Sequence, residues 1–98
     1  MIYVVAELHV DPAKRDAVLA AAKPAIAETR KEAGCVSYEL FQSAEDPNKM
    51  VFVERWESRD ALNAHAKSDH FRTWRKATAD AFTGRKLEIL SDAKVESM

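Results

Sequence analysis

Glycine, cysteine and long apolar runs are scarce in this 98-residue chain, and each scarcity closes off a class of function. Gly34 and Gly84 are its two glycines and stand far apart, so no phosphate-cradling loop or dinucleotide fingerprint can form. Cys35 is the single cysteine, which rules out an internal disulfide and fits a reducing compartment. A nucleophilic thiolate would need a basic neighbourhood to which nothing in the sequence points, so it reads as a small, half-buried strand residue. There is no Cys-x-x-Cys, no His-Glu-x-x-His and no nucleophile motif around a serine. No apolar stretch approaches the ~20 residues of a membrane span. The opening Met1-Ile2-Tyr3-Val4-Val5-Ala6 lacks the basic start and small-residue cleavage site of a secretory leader, so the expected location is the cytoplasm. Fifteen basic and sixteen acidic residues leave a net charge of -1 with neither end strongly basic, which argues against nucleic-acid binding.

What is present is periodicity. Over residues 2–10, Ile2, Val4, Ala6, Leu8 and Val10 alternate with Tyr3, Val5, Glu7 and His9, the period of a strand. Asp11-Pro12 supplies a cap and a first-turn proline, and Val18, Leu19, Ala22, Ile26 and Thr29 continue at helical spacing. Pro24 removes one backbone donor and should kink or split that helix, and Gly34 should end it. Residues 35–43 form a strand with Val36, Tyr38 and Leu40 on one face. After a turn over 44–48, residues 49–57 form its hairpin partner, with Met50, Phe52, Glu54 and Trp56 on one face. Ser58 caps a short helix to about His65. Ser68 caps another carrying Phe71, Trp74, Thr78, Ala81 and Phe82, which Gly84 breaks, and residues 86–95 make the last strand.

The order β-α-β-β-α-β defines one α+β domain of the ferredoxin-like kind over residues 1–98, an antiparallel sheet with its helices on one face. The other face should then be polar. Instead Tyr3, Val5, Val51 and Val53 put apolar groups on it, so a second copy packing sheet to sheet is expected, giving a homodimer.

One run carries chemistry. Glu54 sits between Phe52 and Trp56 on a strand face where an apolar residue is the rule. If that face meets the helices, its carboxyl needs a hydrogen-bond partner or a raised pKa. His65 is the expected partner, with Tyr38 adding a phenol from the neighbouring strand. A salt bridge at the sheet edge is the plainer alternative for Glu54. For His65 it is a place at a helix end favoured by the dipole, and for His70 a capping or solvated role. Trp56, Phe71 and Trp74 suit either a core or a cavity wall; His9, Tyr3 and Arg75 are weaker candidates. A metal site is poorly supported, because His65 and His70 are five apart and would diverge by about 140° on one continuous helix.

In this run the sequence resembles the antibiotic biosynthesis monooxygenase domain family, including its small quinol monooxygenases. The resemblance rests on Ala6-Glu7-Leu8, Gly34-Cys35 with Tyr38, Glu54-x-Trp56, and Ala61-Leu62-x-x-His65-x-x-Ser68-x-His70-Phe71. It spans roughly residues 2–90. It implies a dimeric α/β barrel and, in each subunit, a pocket between sheet and helices. It also implies oxygenation of a quinol or hydroxylated aromatic by O2 without flavin, haem or metal. His65 and Glu54 would be the catalytic pair. Tyr38, Phe52, Trp56, His70, Phe71 and Trp74 would bind the substrate. Haem-degrading relatives use an Asn, a Trp and a His where this chain has Glu7, His65 and Arg75, which argues against haem. The same resemblance leaves open a non-catalytic small-molecule-binding or stress-related barrel, or a non-oxidative isomerase.

Overall fold

In a computed structural model describing residues 1–92 and 94–98, four strands and three α-helices follow the ferredoxin-like order. Strand β1 (Ile2–Val10) is followed by a 3-10 turn (Pro12–Lys14) and helix α1 (Arg15–Thr29). Strands β2 (Cys35–Gln42) and β3 (Lys49–Trp56), helices α2 (Arg59–Ala66) and α3 (Asp69–Ala77), and strand β4 (Phe82–Leu90) complete the order. The sheet runs β2-β3-β1-β4 and every pairing is antiparallel.

The alternation in β1 becomes burial: Ile2, Val4, Ala6, Leu8 and Val10 are all buried. Met50, Phe52 and Trp56 of β3, Tyr38 of β2, Val18 and Ala22 of α1 and Trp74 of α3 complete the core between sheet and helices. Trp56 and Met50 are wholly shielded from solvent. Truncating such a side chain to Ala costs about 2–5 kcal/mol. The opposite sheet face keeps Tyr3, Val5, Val51 and Val53 half-exposed. Phe41, opposite Val51, and Leu90, opposite Tyr3, are exposed. None of the helices among the described residues is long and apolar enough to cross a membrane.

Four local expectations change. Asp11 caps the 3-10 turn, its Oδ1 accepting from Ala13 N, and α1 begins only at Arg15. Helix α1 passes through Pro24 as one element. Pro24 and Ala20, whose carbonyl loses its donor, are both exposed, so the freed group lies open to solvent. Val36 is exposed rather than facing inward with Tyr38 and Leu40, because β2 carries an irregularity between Cys35 and Ser37 that resets its alternation. Helix α3 ends at Ala77, where Thr78 Oγ1 donates back to the Trp74 carbonyl, and Phe82 opens β4. Ala81 and Phe82 are therefore not helical, Gly84 lies inside β4, and that strand stops at Leu90 rather than running to 95. Residue 93 of the expected strand lies outside the described residues.

Candidate active site

A cavity of about 810 Å3 opens between the sheet and α3. Helical spacing brings Phe71, Trp74 and Arg75 of α3, with Thr78 at its C-cap, to one wall. Ala6 and Leu8 of β1, Tyr38 of β2 and Phe52 and Glu54 of β3 form the sheet wall, and Phe82 through Leu87 the β4 rim. Of the expected site residues, Tyr38, Phe52, Glu54, Phe71 and Trp74 line this space. Trp56, His65 and His70 do not. They join a cluster of rings centred on His65, which lies 4.9 Å from Trp56, 5.3 Å from Tyr38, 4.8 Å from Phe71 and 6.0 Å from His70, centroid to centroid. Arg75, and Glu7 from the opening strand, do reach the cavity wall.

Glu54 lies in the register between Val4 on one side and Tyr38 on the other, 6% exposed. Its Oε1 accepts one hydrogen bond, from the Trp56 indole Nε1–H at 3.0 Å. Burial pushes its carboxyl up to about 7, against the pull of the indole donor, with the charge of Glu32 adding to the rise. Near neutral pH this group both takes and releases protons. Burial, then the neighbouring Glu54 and Glu32, hold the Tyr38 phenol protonated. Burial, with Glu32 and Glu54 adding, also pushes the Cys35 thiol up, which agrees with an inert cysteine.

The expected Glu54–His65 pair is not the one that forms. His65 Nδ1 lies 2.7 Å from Oε2 of Glu32, and His70 Nε2 lies 2.9 Å from the same oxygen. The helix break makes this possible. Ser68 Oγ donates to the His65 carbonyl at 2.7 Å and accepts from Phe71 N at 3.3 Å, turning the chain between α2 and α3. On one straight helix the two imidazoles would diverge; across this elbow their centroids are 6.0 Å apart. Glu32 was not among the residues singled out from sequence. In the sequence it is one more charge at a helix end, and only the packing of the 30–34 loop against the α2–α3 elbow gives it a role. Burial lowers the His65 pKa, with Glu32 opposing. Its Nε2 is buried without a hydrogen-bond partner. The donor atoms of Glu32, His65 and His70 lie within 4.8 Å of one another, but both imidazole nitrogens are already joined to one carboxylate oxygen at hydrogen-bond distance.

A four-stranded antiparallel sheet with a cavity beneath its helices defines the class, and comparison with known proteins defines the family. The antibiotic biosynthesis monooxygenase family matches residues 1–77, and the chain belongs to it. Rv0793 of Mycobacterium tuberculosis, which carries a monooxygenase name, is 37% identical over 82 residues, 84% of this chain and 80% of its own. Its solved structure superposes with a TM-score of 0.89 over 98% of both chains. YgiN of Escherichia coli, which carries a quinol monooxygenase name, is 33% identical over 91% of both chains. A structure from Nitrosomonas europaea under the antibiotic biosynthesis monooxygenase name gives a TM-score of 0.91 at 27% identity, covering 96% of this chain and all of its own.

Proposed function

We propose that this chain is a monooxygenase that oxidises a quinol or hydroxylated aromatic with O2, without a cofactor, in the cavity between sheet and α3. The observation that carries the reading is Glu54: a carboxyl poised near 7 on the wall of an aromatic-lined cavity. Membership of the family and the monooxygenase names of its relatives support the reaction class.

The substrate ring packs against Phe52, Phe71 and Trp74, which orient it and exclude water. Glu54 takes the phenolic proton, and the protonated Tyr38 donates to the oxygen left behind. The electron-rich phenolate gives one electron to O2. Phenoxyl and superoxide recombine as a carbon-bound peroxide, Glu54 returns its proton to make the hydroperoxide, and loss of water leaves a carbonyl. A ring C–H becomes C=O, and O2 is reduced to that oxygen and one water. The chain's part is to hold, deprotonate and shield. A single half-buried cysteine suits the reducing cytoplasm, where we place the protein.

We also propose that the apolar outer face of Tyr3, Val5, Phe41, Val51, Val53 and Leu90 is covered by a second copy, burying about 2,000 Å2 or more in total. Light scattering at micromolar concentration should return twice the 11.0 kDa chain mass; a clean monomer would refute it.

An oxygen electrode with a panel of quinols, catechols and hydroxylated naphthalenes tests the chemistry. Uptake of one O2 per substrate consumed, by protein free of visible absorbance, is the expected result. No uptake across the panel, with the same substrates converted under argon, would replace the reading by a non-oxidative isomerase.

A further inference from the structure

The cavity wall differs in charge from the rest of the chain. Over the whole sequence acidic residues outnumber basic ones and the net charge is -1. On the wall the balance reverses, with Arg75, Arg85 and Lys86 against Glu7 and Glu54. Two of these charges already have partners. Glu7 Oε1 lies 3.2 Å from Lys49 Nζ, and Lys86 Nζ lies 3.9 Å from Glu88 Oε1. Arg75 and Arg85 have none: neither guanidinium takes part in an ion pair among the described residues. A guanidinium presents a planar fork of N–H donors that matches a carboxylate, and here two such forks are left unanswered on one cavity wall.

The fold sets where they stand. Arg75 follows Trp74 on α3, and its Cζ lies 6.0 Å from the centre of the Phe71 ring, so an aromatic wall of the cavity steadies it. Arg85 on β4 is opposite Leu8 of β1, while Glu54 on β3 is opposite Val4 of the same strand. Val4 and Leu8 share a face four residues apart, so the backbone positions of Glu54 and Arg85 differ by about 14 Å along the strands and about 10 Å across them. Between these positions the floor is apolar: Ala6, with Phe52 opposite on β3 and Leu87 opposite on β4. The electrostatics agree with two separate ends. Burial, the Trp56 indole and Glu32 move the Glu54 carboxyl, and neither arginine is among the causes. Burial, Glu54, Glu32 and Cys35 move the Tyr38 phenol, again without an arginine.

We propose that the substrate of this cavity is a hydroxylated fused-ring aromatic acid, with its hydroxyl at Glu54 and its carboxylate held at the far end by Arg75 and Arg85. This rests on the cavity being the substrate site, and it names the class of substrate that site takes. A single ring placed at Glu54 stops short of the cationic end, whereas a fused two-ring aromatic lies along the apolar floor and presents its carboxylate there. Arg75 and Arg85 are binding residues that select and orient, and the proton chemistry stays at Glu54. Both side chains are exposed, so water and salt screen their attraction and the selectivity they confer is moderate.

Calorimetry at pH 7 tests the proposal with 6-hydroxy-2-naphthoic acid and 6-hydroxy-2-naphthamide, which share rings and hydroxyl and differ in charge. At low salt the wild type should bind the acid about tenfold more tightly than the amide, and about 0.5 M salt should remove most of that advantage while leaving the amide unmoved. The double variant Arg75→Gln, Arg85→Gln should bring the two ligands within about twofold of each other. Lys76→Gln, which removes an exposed cation from the same helix but not from the cavity wall, should keep the wild-type preference. Equal affinity of the wild type for acid and amide, no binding of the acid, or a preference that survives the double variant overturns the proposal. So does a preference lost equally in Lys76→Gln, which would trace it to overall charge. If the acid binds as expected and no hydroxylated aromatic acid drives oxygen uptake, the oxygenase reading fails and the anionic subsite stands. If neutral quinols are turned over and the acid has no advantage, the subsite fails and the oxygenase reading stands.

Discussion

Two glutamates, Glu54 buried and Glu32 half-buried, show how environment divides one chemistry into two tasks. Glu54 stands on the sheet with one weak donor, and burial carries its carboxyl up to about 7. Glu32 stands on a loop with two imidazoles at 2.7 and 2.9 Å from a single oxygen. The first is left short of partners beside a cavity, which keeps its protonation state easy to change. The second is tied down, which fixes the orientation of His65. A carboxyl meant for chemistry and one meant for support differ here in the number of donors they are given.

The largest expected effect separates the two directly. Glu54→Gln keeps the indole bond and the shape but removes the base, so turnover should fall by roughly 10²–10⁴-fold. Glu32→Gln should cost less, with substrate affinity retained. Equal losses from both would erase the distinction drawn between them.

Stability should move the opposite way at Glu54. A carboxyl whose pKa rises on folding favours the fold most below its unfolded value of 4.5, and this contribution is lost as pH rises toward 7. Above pH 7 the charged, buried form costs on the order of 3 kcal/mol. Glu54→Gln should therefore be more stable than the wild type at pH 8, with the difference shrinking toward pH 4.5. Denaturant melts at the two pH values measure it, and a variant less stable at pH 8 would contradict the burial argument.

Trp56→Phe sharpens the point by a smaller step. Loss of the one donor to Glu54 should raise its pKa further and move the acid limb of the rate profile to higher pH. The missing ring should also cost about 1–3 kcal/mol in a fully buried position. An acid limb that stays in place would mean that the indole bond does not tune the carboxyl.

The smallest expected effect is none. Dialysis against a strong chelator is expected to leave turnover unchanged, with hydrogen bonds of 2.7 and 2.9 Å joining the Glu32 cluster. Loss of activity restored by one added metal would turn that cluster into a metal centre.

Much of this comparison was legible in the sequence, and the part that was not has a physical cause. Strand alternation shows residue by residue, so β1 and β3 and the odd charge of Glu54 between Phe52 and Trp56 stand out. Helical spacing puts Phe71 and Trp74 on one stripe once Ser68 is recognised as a cap, but it does not separate a core stripe from a cavity wall. The His65–Glu32–His70 cluster depends on a loop and an elbow 33 residues apart along the chain, and no local pattern records that meeting. The end of α3 was misplaced because Ala81 and Phe82 continue its apolar spacing. Over so few residues, burial at the start of a strand produces the same signal. Val36 was misplaced because a one-residue irregularity in β2 reverses the face of everything before it.

The most direct test is the titration of the Glu54 carboxyl carbon by NMR in the folded protein, assigned by its disappearance in Glu54→Gln. A midpoint near 7 is expected, matching the acid limb of oxygen uptake. A midpoint near the ordinary 4.5 would leave the cavity without a poised base and contradict the account.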